Sequence, residues 1–158
     1  MTDITPLPPP GTPGWVVLAA RFNGIVVDRL VEGALDCLRG KGVGEGGVRV
    51  VRVAGAFELP QAAAGLARSQ PPPAGIVALG AVVRGETPHF DYVCAESTRG
   101  LMNVALSTGI PIGFGLLTCD DMAQALARAG GHAGNKGWEA AEAALDLADV
   151  LATTGRGR

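Results

Sequence analysis

Aromatic residues and cysteines are both scarce in this sequence. Aromatic side chains make up 4% of the 158 residues, against 47% for hydrophobic residues as a whole, so the core must be built mainly from alanine, valine, leucine and isoleucine. The three cysteines, Cys37, Cys94 and Cys119, have neither paired nor metal-binding spacing. We therefore expect reduced, mostly buried thiols of a cytoplasmic protein, with no zinc or other metal site.

Excess charge and long apolar runs are missing as well. The formal net charge is −2, which provides no basic surface and argues against nucleic acid or an anionic membrane as a partner. No apolar run reaches the roughly 18 residues of a membrane helix. The N-terminus lacks the charged and then apolar pattern of a signal peptide. We expect no nucleic acid and no membrane among the partners.

Several common catalytic signatures are absent or misplaced. The segment Gly42–Gly47 matches Gly-x-Gly-x-x-Gly, but it follows a helical pattern and precedes an apolar run, which is the reverse of the dinucleotide-binding context. Neither the P-loop pattern nor Gly-x-Ser-x-Gly occurs, which argues against P-loop nucleotidases and the usual α/β-hydrolases. Glu58 has no obvious carboxylate partner, so a glycosidase pair cannot be assigned.

What the chain does have is a regular alternation of short apolar runs and helical patterns. The apolar runs predict strands at Trp15–Ala20, Gly75–Val83 and Ile112–Leu117, and the valine-rich segment Val48–Val53 is interpreted as a further strand, second in chain order. The 3.6-residue patterns predict five helices. Three of them span Val26–Leu38, closed by Gly40, then Pro60–Ala67 and Asp91–Ser107. A fourth is opened by a capping box at Thr118–Asp121 and reaches Ala129, and the last spans Asn135–Ala152, with Trp138, Ala141, Leu145 and Ala148 on one side.

This alternation predicts an α/β fold, with a four-stranded parallel sheet covered by helices on both faces in a three-layer α/β/α sandwich. Residues 1–14 hold five prolines and are interpreted as an extended N-terminal arm. The folded domain is predicted to span residues 15–153, and residues 154–158 are predicted to form a C-terminal tail.

The segment Gly80–Tyr92 is the most informative part of the chain. A predicted strand ends in a loop that carries Arg84, Thr87 and His89, and a helix follows. Ligands of α/β proteins bind outside the carboxyl ends of strands, facing the N-terminus of the next helix. A lone loop histidine is more often a plain surface residue. However, Phe22 and the pair Phe57-Glu58 also follow strand ends, which predicts one functional edge.

Six segments must be considered together because they occur in a fixed order. They are Arg21–Asn23, Gly55–Pro60, Gly80–Tyr92, Phe114–Thr118, Arg128–Gly130 and Gly134–Ala141. In this order and spacing they closely resemble the 6,7-dimethyl-8-ribityllumazine synthase family, over about residues 15–152.

The resemblance implies a reaction and an assembly. The family condenses 5-amino-6-(D-ribitylamino)uracil with 3,4-dihydroxy-2-butanone 4-phosphate, releasing phosphate and water, in the penultimate step of riboflavin biosynthesis. No metal or organic cofactor takes part. Members have a flavodoxin-like sheet and form pentamers with each active site between two subunits. The implied steps are Schiff-base formation, loss of phosphate, tautomerisation and ring closure.

The resemblance also implies roles for individual residues. His89 is the expected proton-transfer residue. The expected binding residues for the ribitylaminouracil are Phe22, Ala56, Phe57, Glu58, Ala81, Val82, Val83 and, from the adjacent subunit, Phe114. Those for the butanone phosphate are Gly85, Glu86, Thr87, Arg128 and Lys136, with the Glu86 carboxylate turned away from the phosphate.

Each role has a simpler structural alternative. Phe22 and Phe114 would otherwise be core residues, Arg128 a cation at the end of a helix, and Lys136 a solvated lysine. Many family members have an acidic residue where this chain has Ala127, and many have lysine where it has His132.

The assembly beyond a pentamer is open at this point. The short connection Gly130–Gly134 resembles that of members forming 60-subunit shells, whereas the prolines of the arm lack the N–H donors of a fully paired strand. Riboflavin synthase is a further partner implied by the family. Two other functions compete with catalysis of this condensation: a non-catalytic protein, either a flavin- or lumazine-binding protein or a shell subunit, and a riboflavin synthase of the archaeal type. The presence of His89 and Arg128 favours the synthase.

Overall fold

The central sheet of this protein is parallel and four-stranded. The structure is a computed structural model that describes residues 13–155. Its strands are β1 (Trp15–Ala20), β2 (Val48–Val53), β3 (Gly75–Val83) and β4 (Ile112–Cys119), paired in the order β2-β1-β3-β4. This is the flavodoxin-like order that the resemblance implied, and it confirms the predicted fold class.

Helices cover both faces of the sheet. They are α1 (Gly24–Gly40), α2 (Leu59–Ala67), α3 (His89–Thr108), α4 (Met122–Ala127) and α5 (Lys136–Thr154). Alternate β1 side chains enter two separate cores: Val17 and Ala19 pack with α1 and α5, while Val16 and Leu18 pack with α2 and α3. Because both faces are buried, β1 is apolar at every position.

Three predicted strands have the observed bounds, but the region after β4 corrects the sequence analysis. Thr118 does not cap a helix, since β4 continues through it to Cys119. The Asp121 side chain caps α4 instead, accepting a hydrogen bond from the Gln124 N–H at 2.8 Å. The helix ends at Ala127, before the predicted Ala129, and a short antiparallel hairpin follows, formed by β5 (Ala129–Gly131) and β6 (Gly134–Asn135).

The last helix is capped by Asn135, whose side chain accepts from the N–H groups of Gly137 and Trp138 at 2.8 and 3.2 Å. Ala141 is buried as predicted, but Trp138 is 38% exposed and does not belong to the core. Small residues (Gly137, Ala140 and Ala144) occupy the buried face because α5 lies close to the neighbouring backbone.

The predicted arm and tail fall mostly outside the described residues, which exclude 1–12 and 156–158. The domain bounds 1–14, 15–153 and 154–158 therefore stay a prediction. Across residues 13–155, no helix has the length and apolar character needed to cross a membrane.

The cysteines are free thiols, mostly buried as expected. Cys37 and Cys119 are buried and Cys94 is half-buried. Burial is the largest cause that raises the pKa of each thiol above its ordinary value. All three are therefore protonated and poorly reactive at neutral pH.

Candidate active site

A cavity of about 680 Å³ opens at the carboxyl edge of the sheet. It lies where the strand order reverses, because β1 connects onward to β2 on one side and β3 connects to β4 on the other. Its volume falls within the range of small-molecule sites. The predicted site residues that line it are Phe22, Ala56, Phe57, Glu58, Ala81, Val82, Val83, Gly85, Thr87 and His89.

Two phenylalanine rings stand exposed in this cavity. Phe22 is 70% exposed although it follows the fully buried strand β1, and Phe57, which follows the half-buried strand β2, is 65% exposed. A core role for Phe22, the structural alternative, is therefore wrong. Exposed aromatic faces in a cleft suit the stacking of a flat heteroaromatic ligand.

The residue that holds Phe22 in place is Asn23, which belongs to the segment Arg21–Asn23 but was given no role from the sequence. Asn23 has φ 58° and ψ 43°, a left-handed conformation that asparagine tolerates better than most residues. Its Nδ2 donates a hydrogen bond to the Ala81 carbonyl oxygen at 2.8 Å, which ties the end of β1 to the end of β3. The backbone N–H of Phe22 also donates to the Ala54 carbonyl at 3.0 Å. The signals that the sequence offered were an asparagine between a strand and a helix and its place in the segment Arg21–Asn23.

Glu58 lies in a short 3₁₀ turn, Ala56–Glu58, that follows β2. Its Oε2 accepts a hydrogen bond from the Gly55 N–H at 3.1 Å, which folds the carboxylate back over the turn at the cavity wall. An ionised carboxylate there can accept hydrogen bonds from the hydroxyl groups of a polyol.

His89 is the first residue of α3, two residues earlier than the predicted start of that helix. Its side chain is exposed at the cavity, and its backbone N–H approaches the Thr87 hydroxyl at 3.4 Å. Gly85 and Thr87 line the cavity just before the N-terminus of this 20-residue helix. Free N–H groups and the helix dipole at such a position favour an anion.

Arg84 begins the same loop, but its side chain points to other partners. Its Nε donates to Asp120 Oδ1 at 3.0 Å, its Nη1 to Asp91 Oδ1 at 3.4 Å, and its guanidinium lies 4.3 Å from the centre of the Phe90 ring. These carboxylates raise the pKa of Arg84, with the hydrogen bond to Asp120 as the largest cause. Glu86 is exposed and does not line the cavity.

Three other predicted site residues lie away from the cavity within one chain. Phe114, in the edge strand β4, is 49% exposed. Arg128 follows the C-terminus of α4, and its Nη1 donates to the Gln124 carbonyl at 3.0 Å. The Lys136 Nζ pairs with Glu139 Oε2 at 2.6 Å. One chain therefore supplies an aromatic pocket and a helix N-terminus, while these two cations and the Phe114 ring lie elsewhere.

Residues 13–155 contain no cluster of three or more His, Cys, Asp or Glu side chains able to hold a metal ion. The chemistry that the cavity offers is stacking, hydrogen bonding, anion binding at a helix N-terminus and proton transfer by one imidazole.

Comparisons with known proteins point in one direction. Residues 14–152 match the sequence model of a family described as 6,7-dimethyl-8-ribityllumazine synthase. The chain is similar to proteins of that name from Desulfovibrio desulfuricans, with 54% identity over 85% of this chain and 86% of the relative, and from Syntrophus aciditrophicus, with 50% identity over 85% and 87%. A relative from Aquifex aeolicus is 48% identical over 85% of this chain and 87% of its own length.

Proposed function

The chain belongs to the 6,7-dimethyl-8-ribityllumazine synthase family, and we propose that the cavity at the carboxyl edge of its sheet is the active site. The enzyme condenses 5-amino-6-(D-ribitylamino)uracil with 3,4-dihydroxy-2-butanone 4-phosphate to 6,7-dimethyl-8-ribityllumazine, releasing phosphate and water. One observation carries the placement: residues following three different strands converge on a single cavity of small-molecule size.

The aromatic end of the cavity is proposed to bind the pyrimidine. Phe22 stacks on the ring, and residues 81–83 at the end of β3 form the wall beside it. The backbone of Ala56 and Phe57 binds the uracil edge, and the Glu58 carboxylate accepts hydrogen bonds from the ribityl hydroxyls. These roles suit residues that are exposed to the cavity and held by short turns.

The N-terminus of α3 is proposed to bind the phosphate. Backbone N–H groups near Gly85 and the Thr87 hydroxyl contact its oxygens, while the Glu86 carboxylate stays turned away. His89, beside this loop, transfers protons as the 5-amino group attacks the ketone, phosphate leaves and the ring closes. Holding the two substrates together contributes more than this proton transfer.

A second copy of the chain is proposed to complete the site. The cavity of one chain is not lined by Phe114, Arg128 or Lys136, yet Phe114 is exposed on an edge strand. In a ring of subunits, Phe114 enters the neighbouring cavity, and Arg128 and Lys136 bring positive charge to its phosphate. A pentamer with shared sites follows. Closure into a 60-subunit shell, a cytoplasmic location and association with riboflavin synthase are proposed from the family resemblance.

The reaction is tested by supplying both substrates to the purified protein and following lumazine fluorescence. Formation of lumazine that depends on both substrates supports the proposal. A bound yellow ligand without turnover would indicate a binding protein. Consumption of lumazine supplied alone would indicate a riboflavin synthase.

The shared site is tested by co-expressing two impaired variants, His89→Ala and Arg128→Ala, with different affinity tags. If the two residues come from neighbouring subunits, random mixing regenerates roughly a quarter of the sites and activity returns in the mixed particles. If both act in one subunit, the mixed particles stay as impaired as the parents. Light scattering gives the assembly: about 80 kDa for five 16.0 kDa chains, or close to a megadalton for a shell.

A further inference from the structure

A chain of hydrogen bonds links the loop that precedes His89 to the end of α4. The Arg84 Nε donates to Asp120 Oδ1 at 3.0 Å. The backbone N–H of Asp120 donates to Gln124 Oε1 at 2.8 Å, and the Gln124 carbonyl oxygen accepts from Arg128 Nη1 at 3.0 Å. Asp120 therefore contacts one partner through its side chain and the other through its backbone.

On the loop side, Arg84 holds both ends of the segment that enters the cavity. Its backbone N–H donates to the Cys119 carbonyl at 2.9 Å, which fixes the start of the loop against β4. Its guanidinium reaches across to Asp91 and lies over Phe90, both in the first turn of α3. Gly85 and Thr87 lie between these anchors, so the position of Arg84 sets the shape of the loop.

On the other side, hydrogen bonds of Gln124 fix α4 where it leaves β4. The helix has only six residues, from Met122 to Ala127. Gln124 is held twice, because its backbone N–H donates to Asp121 Oδ1 at 2.8 Å and its side chain binds the Asp120 N–H. The Gln124 carbonyl then directs the Arg128 guanidinium. A shift of Asp120 would move this acceptor, and Arg128 with it.

We propose that Asp120 is a positioning residue of the enzyme, which orients the His89 loop through Arg84 and orients Arg128 through Gln124. This inference rests on the proposed roles of His89 and Arg128. Asp120 touches neither the cavity nor a reacting atom. If neighbouring subunits share sites, its two connections serve two adjacent cavities.

Solvent exposure separates this role from a structural one. The Arg84 and Asp120 side chains are 48% and 66% exposed, and exposed ion pairs contribute little to stability. Loss of the pair should therefore leave the melting temperature almost unchanged. Its effect should appear in the kinetics, because small displacements of binding groups are costly in a positioned site.

The experiment compares Asp120→Ala and Arg84→Gln, which break the side-chain link, with a matched control. Asp120→Ala leaves the Asp120 N–H in place, so Gln124→Met, which removes its acceptor, tests the link toward Arg128 and should raise KM for the butanone phosphate as well. Glu142→Ala removes another exposed ion pair, Lys41–Glu142 at 3.3 Å, which lies between α1 and α5. We expect both test variants to raise KM for the butanone phosphate about tenfold, to change KM for the pyrimidine less than about twofold, and to melt within about 2 °C of the parent. Arg84→Lys keeps the charge without the forked geometry and should restore only part of the loss. The control should change neither KM.

Two further variants, Arg128→Ala and His89→Ala, are measured beside them. If Arg128→Ala raises KM for the phosphate substrate while neither Asp120→Ala nor Gln124→Met does, the positioning role is wrong and the proposed site stands. If Arg128→Ala has no such effect, its proposed role fails and this inference fails with it. Equal rises in both KM values together with a lower melting temperature would make Asp120 a structural residue and overturn the proposal.

Discussion

The two faces of the sheet differ in how closely their helices pack. On the face of α1 and α5, the backbones pack so closely that a methyl group on Gly137 would overlap the Leu30 carbonyl, and one on Gly113 would overlap that of Ala140. On the face of α2 and α3, large apolar side chains remain exposed: Tyr92 at 70%, Met102 at 58% and Leu106 at 77%.

This difference predicts where substitutions change stability and where they change activity. The α1–α5 face is closely packed where the two helices meet the sheet, because small residues allow the close approach, although Ile25 and Val150 at the helix ends stay exposed. The α2–α3 face carries the cavity and leaves surface uncovered, which under the proposed assembly is covered by substrates and by a second copy. Substitutions on the α1–α5 face (the closed face) should mainly change stability. Substitutions at the cavity on the α2–α3 face (the open face) should mainly change activity.

The largest effect is expected for Gly137→Ala on the closed face. The added methyl group meets backbone atoms of α1, which cannot rotate away, so the free energy of unfolding should fall by about 3 kcal/mol. The matched control is Gly65→Ala in α2, where nothing lies within 4 Å and alanine should stabilise the helix by about 0.5 to 1 kcal/mol. Urea denaturation at equal protein concentration measures both. Similar changes at the two glycines would contradict the comparison.

The next largest effect is kinetic and is expected at the cavity on the open face. His89→Ala should lower kcat by one to three decades, about 2.7 kcal/mol at the centre of that range, because it removes a proton-transfer group. The side chain is exposed, so the urea midpoint should not move. KM for the pyrimidine should stay nearly constant. An unchanged kcat would remove His89 from the chemistry.

Substitutions of Asn23 should have a smaller effect, which combines a loss of stability with weaker binding of the pyrimidine. Asn23→Ala loses the hydrogen bond to the Ala81 carbonyl and keeps a positive φ that alanine disfavours, for a loss of about 2 kcal/mol. Asn23→Gly removes only the hydrogen bond and should lose about 1 kcal/mol. In both variants KM for the pyrimidine should rise, because Phe22 is less well held. Equal losses of stability in the two would show that the backbone conformation has no cost.

Most of the fold followed from local patterns. Strands β1 and β3 are continuous apolar runs and β2 is a valine-rich segment, each bounded by polar or glycine-rich turns, so their limits were visible in the sequence. Thr118 was misassigned because the four residues that begin with it match the sequence pattern of a capping box. In the structure, Val82 pairs with Thr118 and Val83 with Cys119, so β4 extends through these residues instead. The β5–β6 hairpin, with a strand of only two residues, has no periodicity to detect.

The site was predictable only in part. Because parallel strand ends meet at one edge, Phe22, Glu58 and His89 were expected to converge, and they do. The contacts that hold them are different: Asn23 reaches Ala81 across 58 positions, and Arg84 reaches Asp120 across 36. No local pattern specifies such long-range pairs. The roles of Phe114, Arg128 and Lys136 depend on the family resemblance, since one chain does not bring them to the cavity.

The smallest expected effect is at Ser97, beneath the open face. Ser97 in α3 is fully buried, and its Oγ has no hydrogen-bond partner among the described residues. Ser97→Ala removes this buried polar group and improves helix propensity, so the free energy of unfolding should rise by about 1 kcal/mol. The control is Thr98→Ala, one residue on, whose exposed hydroxyl donates to the Cys94 carbonyl at 2.7 Å and whose loss should change stability by less than about 0.5 kcal/mol. Urea denaturation of both variants provides the measurement. If Ser97→Ala is destabilising instead, the hydroxyl has a hydrogen-bond partner in the assembled protein. A second copy would then change the packing beneath the open face, and not only cover its exposed side chains.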